Sequence, residues 1–260
     1  MRVAEPRVLL EMEGSIATVQ IDNPERMNAL SRQIVADLQA VAQQLAVMRD
    51  VRAVIVHGGR SKAFCSGADL KERAAMDESQ VIGMVHLLRE TLNLYERLPM
   101  PVIAAVHGLA FGGGCELALA CDLRILSDDA QIGLTETSWA IIPGAGGCTR
   151  LPALVGPAKA KELIFTARKL TAAEALGIGL ANQVVPRADL LTTAGDIAAQ
   201  IAAQGPLAVR AAKRAINGGM ALGAALALEF EAYQSIIPTQ DRLEGLKAFA
   251  EKRKPVYRGE

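Results

Sequence analysis

Short, mainly apolar runs that end in glycine turns and lead into helical patterns recur along the first part of the chain. Residues 51–57 and 101–106 are two such runs of strand length, and each is followed by glycine within two residues. A third run lies at residues 123–126, and a long helical pattern at residues 78–98 separates the first two. Strands that alternate with helices in this way are typical of a mixed α/β core. The sequence therefore predicts an α/β fold.

The pattern changes toward the C-terminus. The chain opens with a hairpin signal, which consists of two strand-like runs at residues 8–12 and 16–21. Beyond about residue 157 strand signals become rare, and helical patterns occupy residues 190–203, 207–216, 222–236 and 240–252. We therefore expect an α/β core in residues 1–196, followed by a C-terminal helical region in residues 197–260.

Charge and cysteine content argue against several classes of protein. The chain has 28 Lys plus Arg and 28 Asp plus Glu, and this balance leaves no overall field to hold nucleic acid or an anionic membrane. The four cysteines form no CxxC pair and no zinc-ligand spacing, so we expect buried thiols in a reducing compartment and no metal site. The N-terminus shows no apolar signal region, and the longest apolar stretch is broken by charges and glycines. We therefore expect a cytoplasmic protein without membrane or nucleic-acid partners.

Two glycine-containing turns could bind a ligand through free backbone N–H groups. In the first, residues 63–70, small residues allow a close approach, and the N–H of Ala68 is expected to be unpaired at the start of an element. In the second, the glycine run at residues 112–114 opens a helix, where an N–H is free and lies at the positive end of the dipole. Gly113 and Glu116 are three residues apart, so they lie on one face of the first turn. Taken alone, each segment fits an ordinary structural turn as well.

A second carboxylate of interest lies in residues 133–147. Glu136 stands there among apolar and small polar residues, before another glycine-rich turn. A single glutamate in such a stretch is more often a surface residue, and no local spacing links it to Glu116. Other motifs are absent: the glycine run at residues 112–114 has Leu117 where a dinucleotide turn has its third glycine, and the chain has no GK[ST] sequence and no GxSxG elbow.

Together, the three glycine-rich segments resemble the crotonase superfamily and, within it, the enoyl-CoA hydratase branch. The resemblance extends from the loop at residues 23–30 to residues 249–253. Three further segments, at residues 68–73, 161–165 and 237–245, are similar to the methylglutaconyl-CoA hydratases, also called AU-binding homologues, and to their paralogues. The resemblance implies a ClpP-like spiral of ββα repeats in the core. It also implies C-terminal helices that assemble a homotrimer or a dimer of trimers.

The resemblance further implies an activity and the groups that perform it. Such an enzyme adds water syn to a trans-2-enoyl-CoA and yields a 3-hydroxyacyl-CoA, as in the β-oxidation of fatty acids. The coenzyme A thioester is the substrate, methylglutaconyl-CoA is one candidate, and no further cofactor is expected. The family's two oxyanion-binding N–H groups fall on Ala68 and Gly113, and its two catalytic carboxylates fall on Glu116 and Glu136.

Further residues match the family's substrate-binding positions. They are Arg26, Ala29, Ser66, Gly67, Asp69, Leu70, Trp139, Ile142, Gly144, Phe249 and Lys252. By this resemblance, residues at the entrance contact coenzyme A, Trp139 and Ile142 face the acyl chain, and a neighbouring subunit supplies Phe249 and Lys252. Burial among Phe111, Trp139 and Ile142 is expected to raise the pKa of both catalytic carboxyl groups toward neutral pH.

Two other functions stay open at this point. An enoyl-CoA isomerase on the same scaffold shifts a proton without water and commonly keeps one principal acid–base residue, so the intact pair favours hydration. An RNA-binding protein of the AU-homologue type would carry lysines along its first helix. Residues 31–47 contain Arg32 and no lysine, which argues against RNA binding.

Overall fold

The computed structural model describes residues 7–218, 239–251, 253 and 255–260. The strands in these residues are β1 (Arg7–Glu13), β2 (Ile16–Asp22), β3 (Ala53–His57), β4 (Val102–Val106), β5 (Leu109–Phe111), β6 (Leu123–Ser127), β7 (Gln131–Gly133), β8 (Leu170–Thr171) and β9 (Gln183–Val185). The helices in the same residues are α1 (Arg32–Val47), α2 (Leu70–Arg73), α3 (Glu78–Arg97), α4 (Gly113–Ala120), α5 (Gly147–Val155), α6 (Pro157–Phe165), α7 (Ala172–Gly177), α8 (Leu190–Ala202), α9 (Pro206–Asn217) and α10 (Gln240–Ala250).

The described strands form two sheets. The larger sheet has the order β1–β2–β3–β4–β6–β9, and the smaller has the order β5–β7–β8. β1 and β2 form an antiparallel hairpin, whereas every other neighbouring pair of the larger sheet is parallel. Parallel neighbours need crossover connections, and α1 joins β2 to β3 while α3 joins β3 to β4. The predicted α/β fold and the predicted hairpin are confirmed.

Two apolar layers cover the two faces of the larger sheet. Because successive residues of a strand point to opposite faces, β3 contributes to both layers. Val54 and Val56 belong to the main core with residues of α1 and α3, whereas Ala53 and Ile55 pack with residues of α8. Every residue of β3 and β4 is buried, so these strands offer no side chain to a ligand. In parallel sheets ligands bind at the loops that follow the strands, so we expect the site there.

Most predicted elements are confirmed within one or two residues at each end. The strands β5, β7 and β8 were not predicted, because two or three residues are too short to show a periodic pattern. The predicted helix at residues 222–236 lies outside the described residues. α8 runs across the predicted boundary between residues 196 and 197 and packs on the sheet, so the helix is continuous there. The division into a core and a C-terminal region stays a prediction.

A buried asparagine holds together the loops that follow β2 and β3. The Nδ2 group of Asn28 donates to the carbonyl oxygens of Gly58, Ala63 and Phe64 at 2.8, 2.9 and 3.1 Å. Its Oδ1 accepts a hydrogen bond from the N–H of Asn23 at 2.9 Å. Asn28 has a φ of 56°, a left-handed conformation that asparagine adopts more readily than most residues. This network fixes the segment that continues from Phe64 into the first glycine-containing turn.

Replacing Asn28 with alanine is expected to lower the free energy of unfolding by about 3–5 kcal/mol, because several buried backbone groups lose their partner. Asn217→Ala is the matched control, since its exposed amide makes one long hydrogen bond, at 3.4 Å, to the Glu96 carbonyl. The control is expected to change the stability by less than about 0.5 kcal/mol. Urea unfolding measures both variants. A loss below about 1 kcal/mol for Asn28→Ala would show that the network does not hold these loops.

Candidate active site

The N–H group of Ala68 points away from its neighbour Leu30. The N–H of Leu30 donates to the Gly67 carbonyl at 2.8 Å, and the N–H of Asp69 donates to the Leu30 carbonyl at 3.2 Å. These two bonds turn the flanking peptide groups toward Leu30 and leave the N–H of Ala68 on the opposite side. In the part of the chain that the structure describes, no hydrogen bond uses this N–H.

A second free N–H lies beside it, at the first residue of α4. The N–H groups of Gly112 and Glu116 donate to the carbonyls of Gly133 and Gly112, whereas the N–H of Gly113 has no acceptor among the described residues. A Cβ atom placed on Gly113 would lie 3.8 Å from the nitrogen of Ala68. The two free N–H groups therefore lie close together, as an oxyanion site requires, and the second also stands at the positive end of a helix.

Close backbone contact sets this arrangement. The N–H of Cys65 donates to the Leu109 carbonyl at 3.1 Å, and the N–H of Phe111 donates to the Cys65 carbonyl at 3.2 Å. The segment before Ala68 therefore runs alongside β5, which leads into α4. A Cβ atom on Gly114 would overlap the carbonyl oxygen of Cys65, so no larger residue fits there. This glycine is required by the contact between α4 and the neighbouring segment.

Glu116 is buried in the first turn of α4, with only 2% of its surface exposed. The N–H groups of Ala145 and Gly147 donate to its Oε1 at 2.8 and 2.9 Å. Burial raises the pKa of this carboxyl group, and the two N–H donors and the nearby Arg150 oppose the rise. The turn before α5 therefore holds this carboxyl group in one orientation.

Glu136 begins a short 3-10 turn, Glu136–Trp139, and reaches the same place. A Cβ atom on Gly112, the residue before α4, would lie 3.3 Å from Oε1 of Glu136. Burial, and then the negative charge of Glu116, raise the pKa of Glu136 to about 7, while Arg73 opposes the rise. Its Oε2 is buried and has no hydrogen-bond partner among the described residues. A carboxyl group with such a pKa can give or take a proton near neutral pH.

The four groups predicted to be catalytic therefore come together at the start of α4. Helical spacing alone linked Gly113 to Glu116, and the structure has both on the first turn of one helix. No local pattern linked Glu136 to either residue. Glu136 lies in the loop after β7. The carbonyl of Gly133, at the end of β7, accepts a hydrogen bond from the N–H of Gly112, the residue before α4, and this bond brings the loop to the site. The chemical roles of the four groups stay predictions at this stage.

Several residues predicted to contact coenzyme A lie next to Ala68 in the chain or contact that segment. Nη1 of Arg26 and Oδ2 of Asp69 form an ion pair at 2.6 Å, and half of the Arg26 side chain is exposed. The Ser66 hydroxyl donates to the carbonyl of Arg26 at 3.4 Å. Three further residues of the predicted set adjoin these in the chain, namely Ala29, Gly67 and Leu70. Arg26 and Leu70 are exposed and Ser66 is half-buried, whereas Ala29, Gly67 and Asp69 are buried. Contacts of these residues with coenzyme A stay predictions.

Trp139 and Ile142 do not bury the carboxyl pair. Their side chains are 65% and 70% exposed, and Phe111 is half-buried. The prediction that these side chains raise the two pKa values by burial is therefore wrong for Trp139 and Ile142, because the chain turns both outward. The turn before α5 covers Glu116 instead. This turn includes Gly144 and supplies the two N–H donors to the Glu116 carboxylate.

Two residues of the predicted set lie near the C-terminus. Phe249 belongs to α10, but its side chain is outside what the structure describes. Lys252 lies outside the described residues altogether. Contacts of both residues with the substrate stay predictions.

Other polar side chains near the strand ends have structural partners. Nδ1 of His57 accepts from the N–H of Gly59 at 3.0 Å, and Nε2 of His107 lies 3.0 Å from the carbonyl oxygen of Ser61. Within the described ranges, no group of three or more His, Cys, Asp and Glu side chains could hold a metal ion. No helix in those ranges is long and apolar enough to cross a membrane.

Sequence reasoning missed the groups that orient Glu116. The guanidinium group of Arg150 is buried and donates to the Ala145 carbonyl at 2.9 Å, to Asn93 at 2.8 Å and to Glu96 at 2.7 Å. It thereby fastens to α3 the turn whose N–H groups bind the carboxylate. The glycine-rich composition of the turn was the only signal in the sequence. A contact between residues 29 apart leaves no local pattern.

Comparison with known proteins gives a consistent set of relatives. Residues 11–260 match the family model described as enoyl-CoA hydratase/isomerase. The mitochondrial methylglutaconyl-CoA hydratase of Homo sapiens is 45% identical over 260 residues, which cover 98% of this chain and 77% of that protein. The short-chain-enoyl-CoA hydratase of Clostridium acetobutylicum is 43% identical over 251 residues, which cover 95% of each. The crystal structure of an enoyl-CoA hydratase from Bacillus anthracis has a TM-score of 0.96 at 47% identity and covers 98% of this chain and 100% of that chain.

The raised pKa of Glu136 predicts a pH-dependent gain in stability for Glu136→Gln. Because the pKa rises from 4.5 to about 7 on folding, the neutral carboxyl group suits the folded state. The stability that it contributes is complete below pH 4.5 and is lost as the pH rises through 7. Glutamine does not titrate. Relative to wild type, the variant should therefore gain about 1–2 kcal/mol between pH 5 and pH 8, after allowance for solvent screening.

Urea unfolding of both proteins at the two pH values measures this difference. Glu11→Gln is the control, because Glu11 lies exposed on β1 and its replacement should give the same difference from wild type at both pH values. If Glu136→Gln also gave the same difference at both, Glu136 would not be protonated in the folded protein near neutral pH.

Proposed function

The chain belongs to the enoyl-CoA hydratase/isomerase family, and from this we infer that it is an enoyl-CoA hydratase. It is a hydro-lyase, which adds water across the double bond of an enoyl thioester of coenzyme A. Family membership confirms the resemblance drawn from the three glycine-rich segments. The overlap with a solved enoyl-CoA hydratase confirms the crotonase fold.

The mechanism that we propose depends on the two free N–H groups beside the two buried carboxyl groups. The thioester oxygen lies between the N–H groups of Ala68 and Gly113 in this proposal. As water attacks the double bond, negative charge develops on that oxygen, and the two donors stabilise it. In comparable sites one such donor contributes about 3–4 kcal/mol to stabilising the transition state.

The two carboxyl groups hold the reacting water between them in the same proposal. Glu116, whose charged form is favoured by two N–H donors, takes a proton from the water as the water oxygen bonds to the β-carbon. Glu136, with a pKa of about 7, delivers a proton to the α-carbon. Both groups act from one face, so the addition is syn and converts a trans-2-enoyl-CoA into a 3-hydroxyacyl-CoA. A proton that passes from Glu116 to Glu136 restores the starting state.

The coenzyme A moiety binds beside the Arg26–Asp69 ion pair in this proposal. Backbone atoms around Ser66 and Leu70 contact the adenine, and the half-exposed guanidinium of Arg26 can reach a phosphate. The acyl thioester needs no further cofactor for this reaction. In this proposal, the two N–H donors and the two carboxyl groups of the chain are enough for the addition of water to the enoyl thioester.

The acyl group and the cellular context are part of the proposal. Relatives named as methylglutaconyl-CoA hydratase and as short-chain-enoyl-CoA hydratase support short enoyl thioesters, methylglutaconyl-CoA among them, as substrates. We expect a cytoplasmic enzyme of fatty-acid β-oxidation, although the human relative is named as mitochondrial. Values of kcat/KM for crotonyl-, hexenoyl-, decenoyl- and methylglutaconyl-CoA on one preparation would rank these substrates.

Glu116→Gln and Glu136→Gln are each expected to lower kcat for crotonyl-CoA hydration by at least about a hundredfold, since each removes one proton-transfer group. Glu11→Gln, on the exposed face of β1, should leave the rate unchanged. Loss of absorbance of the conjugated thioester measures hydration. Rates within about tenfold of wild type for both active-site variants would overturn the assignment of the pair.

The source of the oxygen in the product distinguishes hydration from the isomerase alternative. In water labelled with heavy oxygen, a hydratase incorporates one labelled oxygen at the β-carbon. An isomerase moves the double bond and incorporates none. A labelled 3-hydroxyacyl product formed at the rate of substrate loss supports hydration, and unlabelled isomerised product supports the alternative.

We also propose that the chain assembles as a homotrimer or a dimer of trimers, as the superfamily resemblance implies. Large apolar side chains are exposed on the single chain, and Phe165 and Ile216 are 73% and 79% exposed. Burial between subunits would remove such side chains from water. Light scattering should give three or six times the mass of one chain. A single-chain mass at every concentration would contradict the assembly.

A further inference from the structure

A cavity of about 310 Å³ lies at the end of the larger sheet where β2 and β3 begin. Ser15 and Arg52 line the cavity, and each directly precedes one of these two parallel strands. The segments that carry the free N–H groups of Ala68 and Gly113 lie beyond the opposite ends of β3 and β4. Parallel strands begin at one edge of a sheet and end at the other. The cavity is therefore separate from the candidate active site.

Positive charge dominates the wall of this cavity. The loop between α1 and β3, the helix α9 and the C-terminal segment contribute arginines to it, which are Arg49, Arg52, Arg210 and Arg258. Asp50 is the one acidic residue among the described residues of the wall, and Glu260 adjoins the wall residue Gly259 without lining the cavity. In the described part of the chain, no carboxylate lies within 4.0 Å of the side-chain nitrogen atoms of these four arginines. The residues that the structure describes therefore leave the four cations without an ion pair.

Two of the guanidinium groups are held in place by neutral acceptors. Arg52 donates from Nη1 to the carbonyl of Ala202 at 2.9 Å and from Nη2 to the carbonyl of Tyr257 at 2.6 Å. Arg210 donates from Nη2 to two carbonyls of the loop between α1 and β3, at 2.8 and 3.1 Å. Nε of Arg52 and Nη1 of Arg210 are accessible to solvent and have no hydrogen-bond partner among the described residues. Both groups are thus ordered, and each keeps a donor for a ligand.

The other two arginines are free to adjust to a ligand. Arg49 and Arg258 are exposed, and within the described ranges no hydrogen bond uses either side chain. Burial lowers the pKa of Arg210, and the charges of Arg49 and Arg52 lower it further. Like charges at such a spacing repel one another, and an anion between them would offset that repulsion.

We propose that this cavity binds a phosphoryl group, either as free phosphate or as part of a nucleotide. A guanidinium group can donate two parallel hydrogen bonds to phosphate oxygens, and it loses less solvation than an ammonium group does. Two fixed and two adjustable guanidinium groups can therefore surround the phosphoryl oxygens. The volume of about 310 Å³ lies at the lower limit of small-molecule sites, so a small group attached to the phosphate also has room. This site is additional to the proposed hydratase activity and does not depend on it.

Calorimetric titration of the full chain with inorganic phosphate and with ADP tests the proposal. Chloride keeps the ionic strength constant in all titrations, because salt screens attraction between charges. We expect a dissociation constant below about 1 mM for at least one of the two probes. Tighter binding of ADP would identify a nucleotide as the source of the phosphoryl group, and tighter binding of phosphate would identify the free anion. Values above about 1 mM for both probes would overturn the proposal.

Three single variants locate the binding. Arg49→Gln and Arg258→Gln should each weaken it about tenfold, because each removes a charged donor. Neither side chain has a hydrogen-bond partner in the described residues, so both variants are expected to fold. Arg89→Gln is the matched control, since it removes the same charge from an exposed position on α3 and should change the dissociation constant less than about twofold. An equal loss in all three variants would show attraction to overall charge and would overturn the site.

A fourth variant separates the cavity from the candidate active site. Arg26 is the proposed phosphate contact for coenzyme A, and ADP resembles part of that molecule. Arg26→Gln should leave the binding of phosphate and ADP to the cavity unchanged, and Arg49→Gln should leave kcat/KM for crotonyl-CoA within about twofold of wild type. Binding that is lost in Arg26→Gln but kept in Arg49→Gln would place the anion at the active site. That result would overturn the second site and leave the hydratase function standing.

Discussion

The segment that leads to Ala68 and the first turn of α4 approach each other so closely that only glycine fits at position 114. Hydrogen bonds link Cys65 to both ends of β5, and α4 begins directly after that strand. The positions of both free N–H groups follow from this single backbone contact. The buried side chain of Asn28 holds the other end of the segment. Two N–H donors held in this way are ordered before any ligand arrives, as the proposed oxyanion site needs.

The carboxyl pair is positioned by different means on its two sides. Two N–H donors hold Glu116, and the buried Arg150 fastens that turn to α3, so this carboxyl group has one orientation, and the donors oppose the rise in its pKa that burial causes. Glu136 has fewer partners, and its raised pKa lets it keep a proton near neutral pH. Burial raises the pKa of both carboxyl groups, so their charged forms oppose folding.

The buried strands β3 and β4 could be predicted because each is a mainly apolar run followed by glycine, and the start of α4 because a glycine run marks it. The strands β5, β7 and β8 are too short to give a pattern, although they align the site. Helical spacing linked Gly113 to Glu116, but the partner Glu136 joins them only through tertiary packing. Trp139 and Ile142 were expected from the family resemblance to face the acyl chain and to bury the carboxyl pair, yet both side chains are largely exposed. Long-range contacts decide these positions, and a single sequence does not encode them locally.

A crystal structure of Glu136→Gln with crotonyl-CoA bound is the most direct test of the site. The slow variant would trap the substrate. The thioester oxygen should lie about 3 Å from the nitrogen atoms of Ala68 and Gly113. A water molecule should lie between Glu116 and the glutamine, on the side of the β-carbon. A thioester oxygen bound to other groups, or a double bond more than about 6 Å from Glu116, would contradict the proposed mechanism.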